Sequence, residues 1–152
     1  MERPELTLTL DDHKKAFTEI SFLVEMLVKT IEDVVGRSSA SLGTQAGRHM
    51  AKKIPVYLAE PTPDAVLGAL ARTMHDGFEL TYTADNAGAD LNVGRCALRE
   101  VCRQRDLQLG GELCKMFHSY LGGMTAELLG GRPVRAQEAT VGETCSFHLD
   151  IK

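Results

Sequence analysis

Four cysteines lie in the second half of the chain, and they are the residues with the clearest capacity for chemistry. Cys96, Cys102 and Cys114 fall within nineteen residues of one another, and Cys145 follows later. In a cytoplasmic protein such a cluster is more typical of thiolate chemistry or metal binding than of disulfides. The spacing contains no Cys-x-x-Cys knuckle, so the pattern alone leaves buried, unliganded cysteines as the alternative.

A helix and a hairpin are predicted to carry two of these cysteines. Apolar residues recur at helical spacing from Leu113 to Leu128, and Gly130-Gly131 and Pro133 end the helix. Cys114 and His118 are four residues apart, so they share one face of that helix. His118 in this position is predicted to be a packed or hydrogen-bonded histidine rather than a metal ligand.

The hairpin is predicted from Val134–Val141 and Thr144–Ile151, joined by a type II′ turn at Gly142-Glu143. This register gives one mostly apolar face that must pack on the helix. The predicted face contains Val134, Ala136, Glu138, Thr140, Cys145, Phe147, Leu149 and Ile151. Glu138 is the anomaly, because a carboxylate on a core face is costly unless it is paired or binds a cation.

The remaining elements follow from apolar spacing and turn residues. A long apolar stripe predicts a helix from about Asp12 to Val35, and residues 1 to 10 alternate as a short edge strand or an arm would. Gly43 and Gly47 lie on one side of a second helix and predict close helix packing or ligand contact. A first hairpin turns at Asp85–Gly88. The fold class expected is α+β, with a roughly four-stranded antiparallel sheet of two hairpins packed with about four to five helices.

Length and charge limit the classes of function. At 152 residues the chain is expected to form a single domain, residues 1 to 152. Its formal charge of −4 argues against nucleic-acid binding. No apolar run reaches the length of a membrane span and no signal-peptide pattern is present, so we expect a cytoplasmic protein.

Several segments together resemble the 4-vinyl reductase, or hydrocarbon-binding, domain family. They are Gly36 through Gly47 with Ala51, Leu113-Cys114, Gly122-Gly123, Arg132-Pro133-Val134, Glu138 and residues 142–147. The resemblance covers most of the chain and is specific in its last forty or so residues. It implies an α+β ligand-binding module in which cysteines and a glutamate hold zinc beside a buried hydrophobic pocket.

The resemblance also assigns the candidate site residues. Cys114 and Cys145 match the first and last cysteines of the family pattern, while Glu138 or Ala139 stands where a middle cysteine is expected. Cys102 fits a related pattern of iron–sulfur sensor domains, and Cys96 is nearby. The candidate ligands of a zinc ion or an iron–sulfur cluster are therefore Cys96, Cys102, Cys114, Cys145 and Glu138. The candidate pocket residues are Phe117, Leu121 and Phe147.

These observations predict a non-catalytic sensor or binding module for a small hydrophobic ligand, acting as a homodimer and through a possible protein partner. Two alternatives remain open at this point. The first is a thiol-dependent enzyme in which His118 activates Cys114 as a nucleophile or redox thiol. The second is a dimeric assembly subunit that uses the long first helix and the Gly43-Gly47 face.

Overall fold

A computed structural model describes residues 7–152, which form five α-helices and five strands. The elements are α1 (Leu10–Val35), α2 (Ser39–Ala51), α3 (Pro63–Thr73), β1 (Phe78–Ala84), β2 (Gly88–Cys96), α4 (Ala97–Arg105), α5 (Glu112–Leu128), β3 (Val134–Ala136), β4 (Thr140–Val141) and β5 (Cys145–Ile151). A short 3₁₀ turn, Gly36–Ser38, joins α1 to α2. The predicted α+β class is confirmed.

The sheet is antiparallel throughout, and its strand order is β1-β2-β5-β3, with β4 also paired to β5. The two predicted hairpins are therefore joined through β2 and β5, and the first strand of the second hairpin is split into β3 and β4. Helices α3 and α5 contribute to the core against this sheet. The largest fully buried apolar side chains are Leu67, Leu70, Leu121, Met124 and Leu149.

The first hairpin turns where the sequence predicted. The Asp85 carboxylate accepts hydrogen bonds from the backbone N–H groups of Ala87 (2.7 Å) and Gly88 (2.9 Å). An aspartate that binds the backbone two and three residues ahead stabilises a tight reversal of the chain. The reversal brings Leu91 opposite Tyr82 and Val93 opposite Leu80.

The register predicted for the second hairpin is correct at one end and wrong at the other. Val134 pairs with Ile151 and Ala136 with Leu149, as predicted. Beyond Ala136 the alignment changes by one residue, so Val141 lies opposite Cys145 instead of Thr144. The extra residue in segment 137–139 moves Glu138 off the core face, and its side chain is exposed. The prediction of a carboxylate buried under the sheet is therefore wrong.

The backbones of helices α2 and α5 are in contact where the two helices cross, because the residues at the crossing are glycines. A Cβ atom at Gly47 would lie 2.9 Å from the carbonyl carbon of Tyr120, and one at Gly123 would lie 2.9 Å from that of Thr44. Real Cβ atoms do not approach so closely, so only glycine fits at either position. The Gly43-Gly47 side of α2 therefore packs closely against another helix, which is one of the two roles predicted for it.

Helix α1 begins with a capping box in which the Thr9 and Asp12 side chains each bind the other's backbone N–H. Helix α1 therefore begins at Leu10, two residues before the predicted start at about Asp12. Most of the predicted arm at residues 1 to 10 lies outside the part of the chain that the structure describes. Within residues 7–152, no helix is both long and apolar enough to cross a membrane.

Candidate ligand and thiol site

The junction between β2 and α4 brings Cys96 and Cys102 toward the same region. Cys96 is the last residue of β2 and also the N-cap of α4, with an extended backbone (φ −145°, ψ 115°). Helical geometry starts only at Ala97. The six-residue separation, which would place two cysteines of one continuous helix about 120° apart, therefore does not apply.

The four cysteines gather between α4, α5 and β5. Cys102, Cys114 and Cys145 are buried, and Cys96 is half-buried. The Cys102 and Cys114 side chains interact with each other, and this interaction is the largest cause of a Cys114 pKa lowered to about 6. The same interaction raises the pKa of Cys102. The partner of Cys114 is thus another thiol, whereas the alternative of a thiol enzyme predicted His118.

A small apolar cavity of about 10 Å³ lies among Cys96, Cys114 and Cys145. Phe117, His118 and Val141 complete part of its wall. A space of this size holds about one water molecule. The predicted pocket residue Phe117 therefore lines a real cavity, but the cavity as it stands does not accommodate an aromatic ring.

Arg99 is the residue of this site that the sequence reasoning missed. It is 7% exposed and donates hydrogen bonds to the carbonyls of Gly94 (2.6 Å) and Val93 (3.3 Å) and to Cys145 Sγ (3.5 Å). Its Nε has no partner, and no carboxylate of the described chain pairs with its guanidinium. A buried cation without a counter-ion is costly, so the site favours negative charge on its sulfurs or on a bound molecule.

The types of side chain at this site suit a thiolate-ligated metal, but their positions do not. Thiolates are the preferred ligands of structural zinc and of iron–sulfur clusters, and Arg99 suits an anionic centre. Among residues 7–152, however, no three His, Cys, Asp or Glu side chains are arranged to hold a metal ion. Glu138, predicted as a ligand, is exposed at the surface.

His118 stands among aromatic rings on the core side of α5. It is 6% exposed, and its ring centroid lies 4.4 Å from that of Phe147 and 6.1 Å from that of Phe117. Burial lowers the pKa of His118 to about 4, so the imidazole is neutral at physiological pH. Neither of its ring nitrogens makes a hydrogen bond with another described residue.

A surface cleft of about 360 Å³ reaches His118 from outside, between α5 and the segment that joins β3 to β4. His118 and Val141 line both this cleft and the small cavity beside the cysteines. They therefore form the partition between solvent and the thiol cluster. Of the other predicted pocket residues, Phe147 packs on His118, while Leu121 is 1% exposed and belongs to the core.

The fold of this chain resembles that of solved structures. No protein-family model matches the sequence, and no curated protein matches it at a significant level. The structure is similar to the crystal structure of the phenol-responsive sensory domain of the transcription activator PoxR with phenol, at a TM-score of 0.56 and 17% identity. The match covers 99% of this chain and 78% of that chain. The two chains share one fold. The fold implied by the resemblance to 4-vinyl reductase domains is thereby confirmed.

Proposed function

We propose that this chain is a non-catalytic, cytoplasmic sensory domain that binds a small phenol-like aromatic molecule beside His118. The observation that carries the proposal is a buried, neutral imidazole with unused ring nitrogens, set against Phe117 and Phe147 at the inner end of a cleft. An apolar wall with one convergent polar group is the usual composition of a small-molecule site. The shared fold with a phenol-responsive domain supports the same class of ligand.

The chemistry of the site suits a hydroxylated ring. Phe147 and Phe117 offer aromatic faces and edges to a ring placed beside them. A neutral imidazole accepts a hydrogen bond from a phenolic O–H through its unprotonated nitrogen, and it can donate one through the other. The absence of a competing partner for His118 means that the ligand would replace no existing protein hydrogen bond.

Entry of the ligand would also cause the conformational change by which the domain signals. The inner cavity holds about 10 Å³, so a ring that passes His118 has to displace Val141 and the hairpin that carries it. This hairpin is held weakly there, because β4 is two residues long and the ladder is interrupted at 137–139. Binding would therefore shift the β3–β4 segment outward and change the surface that a protein partner contacts.

Calorimetric titration with phenol tests this function, and cyclohexanol and toluene separate the contributions of the ring and the hydroxyl. We expect phenol to bind more tightly than either probe, and we expect His118→Leu to weaken phenol binding by about tenfold, the value of one hydrogen bond. His148→Leu is the matched control, since that histidine pairs with Asp90 on the other side of the sheet. No binding of phenol at millimolar concentration, or equal binding by the His118 variant, would contradict the proposal.

A second candidate function is a metal- or cluster-dependent sensor, and the gathered cysteines with the uncompensated Arg99 favour it. Cys96, Cys102, Cys114 and Cys145 would hold a zinc ion or an iron–sulfur cluster once their side chains rearranged, since no three of them are arranged to hold a metal in this structure. A bound metal would supply a link between α4, α5 and β5. Arg99 would balance the negative charge that the thiolates bring.

Metal analysis and an absorption spectrum of anaerobically purified protein test this candidate. About one equivalent of zinc supports the first form, and iron with a brown chromophore supports the second. We expect Cys102→Ala with Cys145→Ala to lose the bound metal while Cys96 and Cys114 remain. Protein free of both metals after growth with iron and zinc supplied would exclude this candidate and leave phenol binding untouched.

A further inference from the structure

Arg99 is a buried cation without a carboxylate partner. It is 7% exposed, and its Nε atom is buried with no hydrogen-bond partner. The other two guanidinium nitrogens donate to the backbone carbonyls of Gly94 and Val93 and to Cys145 Sγ. No ion pair among residues 7–152 includes Arg99. Buried arginines are almost always paired, so this guanidinium favours an anion supplied from outside the chain.

The position of Arg99 in α4 does not stabilise that helix. Arg99 is the third residue of α4 and lies in its first turn. The N-terminus of a helix carries partial positive charge, so a cation there is unfavourable. The neighbouring acid, Glu100, pairs with Arg103 at 3.7 Å instead of with Arg99. A bound anion would remove both the unfavourable interaction with the helix and the lack of a counter-ion.

The small inner cavity connects Arg99 with the ligand site proposed beside His118. Both residues line this cavity, and His118 also lines the outer cleft of about 360 Å³. The inner cavity of about 10 Å³ has room for one water-sized group, so it fits a carboxylate oxygen but not a ring. None of the described residues that line it is an acid. The outer cleft has one lysine and one glutamate, Lys115 and Glu138, so selection for charge depends on Arg99.

We infer that the ligand is an aromatic acid of the hydroxybenzoate class, whose carboxylate binds Arg99 while its ring and hydroxyl lie beside His118. This ligand class rests on the proposed function, to which it adds one charged group. A carboxylate accepts hydrogen bonds from a guanidinium and supplies the missing negative charge. Phenol would satisfy the imidazole of His118 but leave the Nε–H of Arg99 without a partner. A hydroxybenzoate satisfies both groups.

Calorimetric titration of the wild-type chain with the three hydroxybenzoates and the three matching hydroxybenzamides isolates the effect of charge, because each amide has the shape of its acid. We expect at least one acid to bind about tenfold more tightly than its amide and than phenol, as a hydrogen bond to a charged group predicts. Acetate, a carboxylate without a ring, should bind more weakly than that acid.

The results for acids and for phenol separate this inference from the proposed function. Equal binding of every acid and its amide would overturn the inference and leave phenol binding intact. Acetate that binds as tightly as the aromatic acids would overturn it too, since the site would then take any small anion. Binding of an acid without binding of phenol would support Arg99 as the anchor and contradict the phenol site. Binding of neither would contradict both.

Arg99→Met tests whether this residue supplies the preference for an acid, since methionine keeps an apolar stem and removes the charge. The ratio of acid to amide affinity should fall from about tenfold to about one. Arg103→Met is the matched control, because it removes the same charge from α4 at a side chain that is 55% exposed, and it should keep the wild-type ratio. Circular dichroism and the melting temperature show whether each variant is folded. Arg99→Gln, whose amide can still donate to a backbone carbonyl, replaces Arg99→Met if that variant does not fold. A folded Arg99 variant with the wild-type ratio would overturn the inference.

Discussion

Replacing Gly123 by alanine is expected to destabilise the fold by about 3 kcal/mol or more, whereas the same change at the adjacent Gly122 is expected to be tolerated. A Cβ atom at Gly123 would lie within 2.9 Å of the carbonyl carbon of Thr44 and closer still to its oxygen. Because Thr44 contributes backbone here, the clash cannot be relieved by a side-chain rotation, and α2 would have to move away from α5. At Gly122 the nearest atom to a new Cβ is 3.8 Å away, which is an ordinary contact.

Urea unfolding of the two variants measures the difference directly. Alanine favours a helix over glycine by about 1 kcal/mol, so Gly122→Ala is expected to be neutral or up to that much more stable than the wild type. Gly123→Ala should unfold at much lower urea, or fail to fold. If both variants unfold at the same midpoint, the close crossing of α2 and α5 is incorrect. The pair of glycines thus provides its own control for helix propensity.

The stability of the protein is expected to fall by about 3 kcal/mol between pH 6.5 and pH 4 because of His118 alone. Its pKa is 6.5 in the unfolded chain and about 4 in the folded one, where burial disfavours the charged imidazole. The unfolded state therefore binds the proton first as the pH falls. The stabilisation is complete above pH 6.5 and is lost progressively as the pH approaches 4.

Urea unfolding at several pH values separates this effect from other titrations. His118→Phe keeps an aromatic ring against Phe147 and removes the titrating group, so its stability should change less over this range than that of the wild type. His13→Phe, at an exposed position of α1, is the control and should keep the wild-type slope. Equal slopes for wild type and His118→Phe would mean that His118 is not buried as a neutral imidazole.

The sequence predicts those parts of the fold that depend on local periodicity. The helical spacing around Phe117 and the turn residues at Asp85 determine α5 and the first hairpin, and both are confirmed. The register of the second hairpin is predicted only as far as Ala136, since one additional residue on that strand changes every later pairing. The core position predicted for Glu138 depends on this register alone. An interruption of a ladder has no single-residue signature, so the alternation pattern could not reveal it.

In the candidate site, too, local features can be predicted from the sequence, whereas features that depend on packing cannot. Cys96 and Cys102 converge because α4 starts between them, and apolar spacing alone does not fix the residue at which a short helix starts. Arg99 was overlooked because arginine in a polar nine-residue helix is usually solvated. Its position three residues after one cysteine and three before the next was the available signal. Whether two thiols distant in sequence come close enough to interact depends on how α4 and α5 pack, which no local pattern encodes.

The position of β5 has a consequence for the order in which the protein can be made. β5 lies between β2 and the β3–β4 pair, yet it is the last strand along the described chain. During synthesis the β1–β2 hairpin therefore emerges well before the strand that covers its inner edge. Until β5 arrives, β2 presents unpaired backbone groups to other nascent chains. Productive folding of this protein should consequently depend on how quickly translation passes from Gly88 to Ile151.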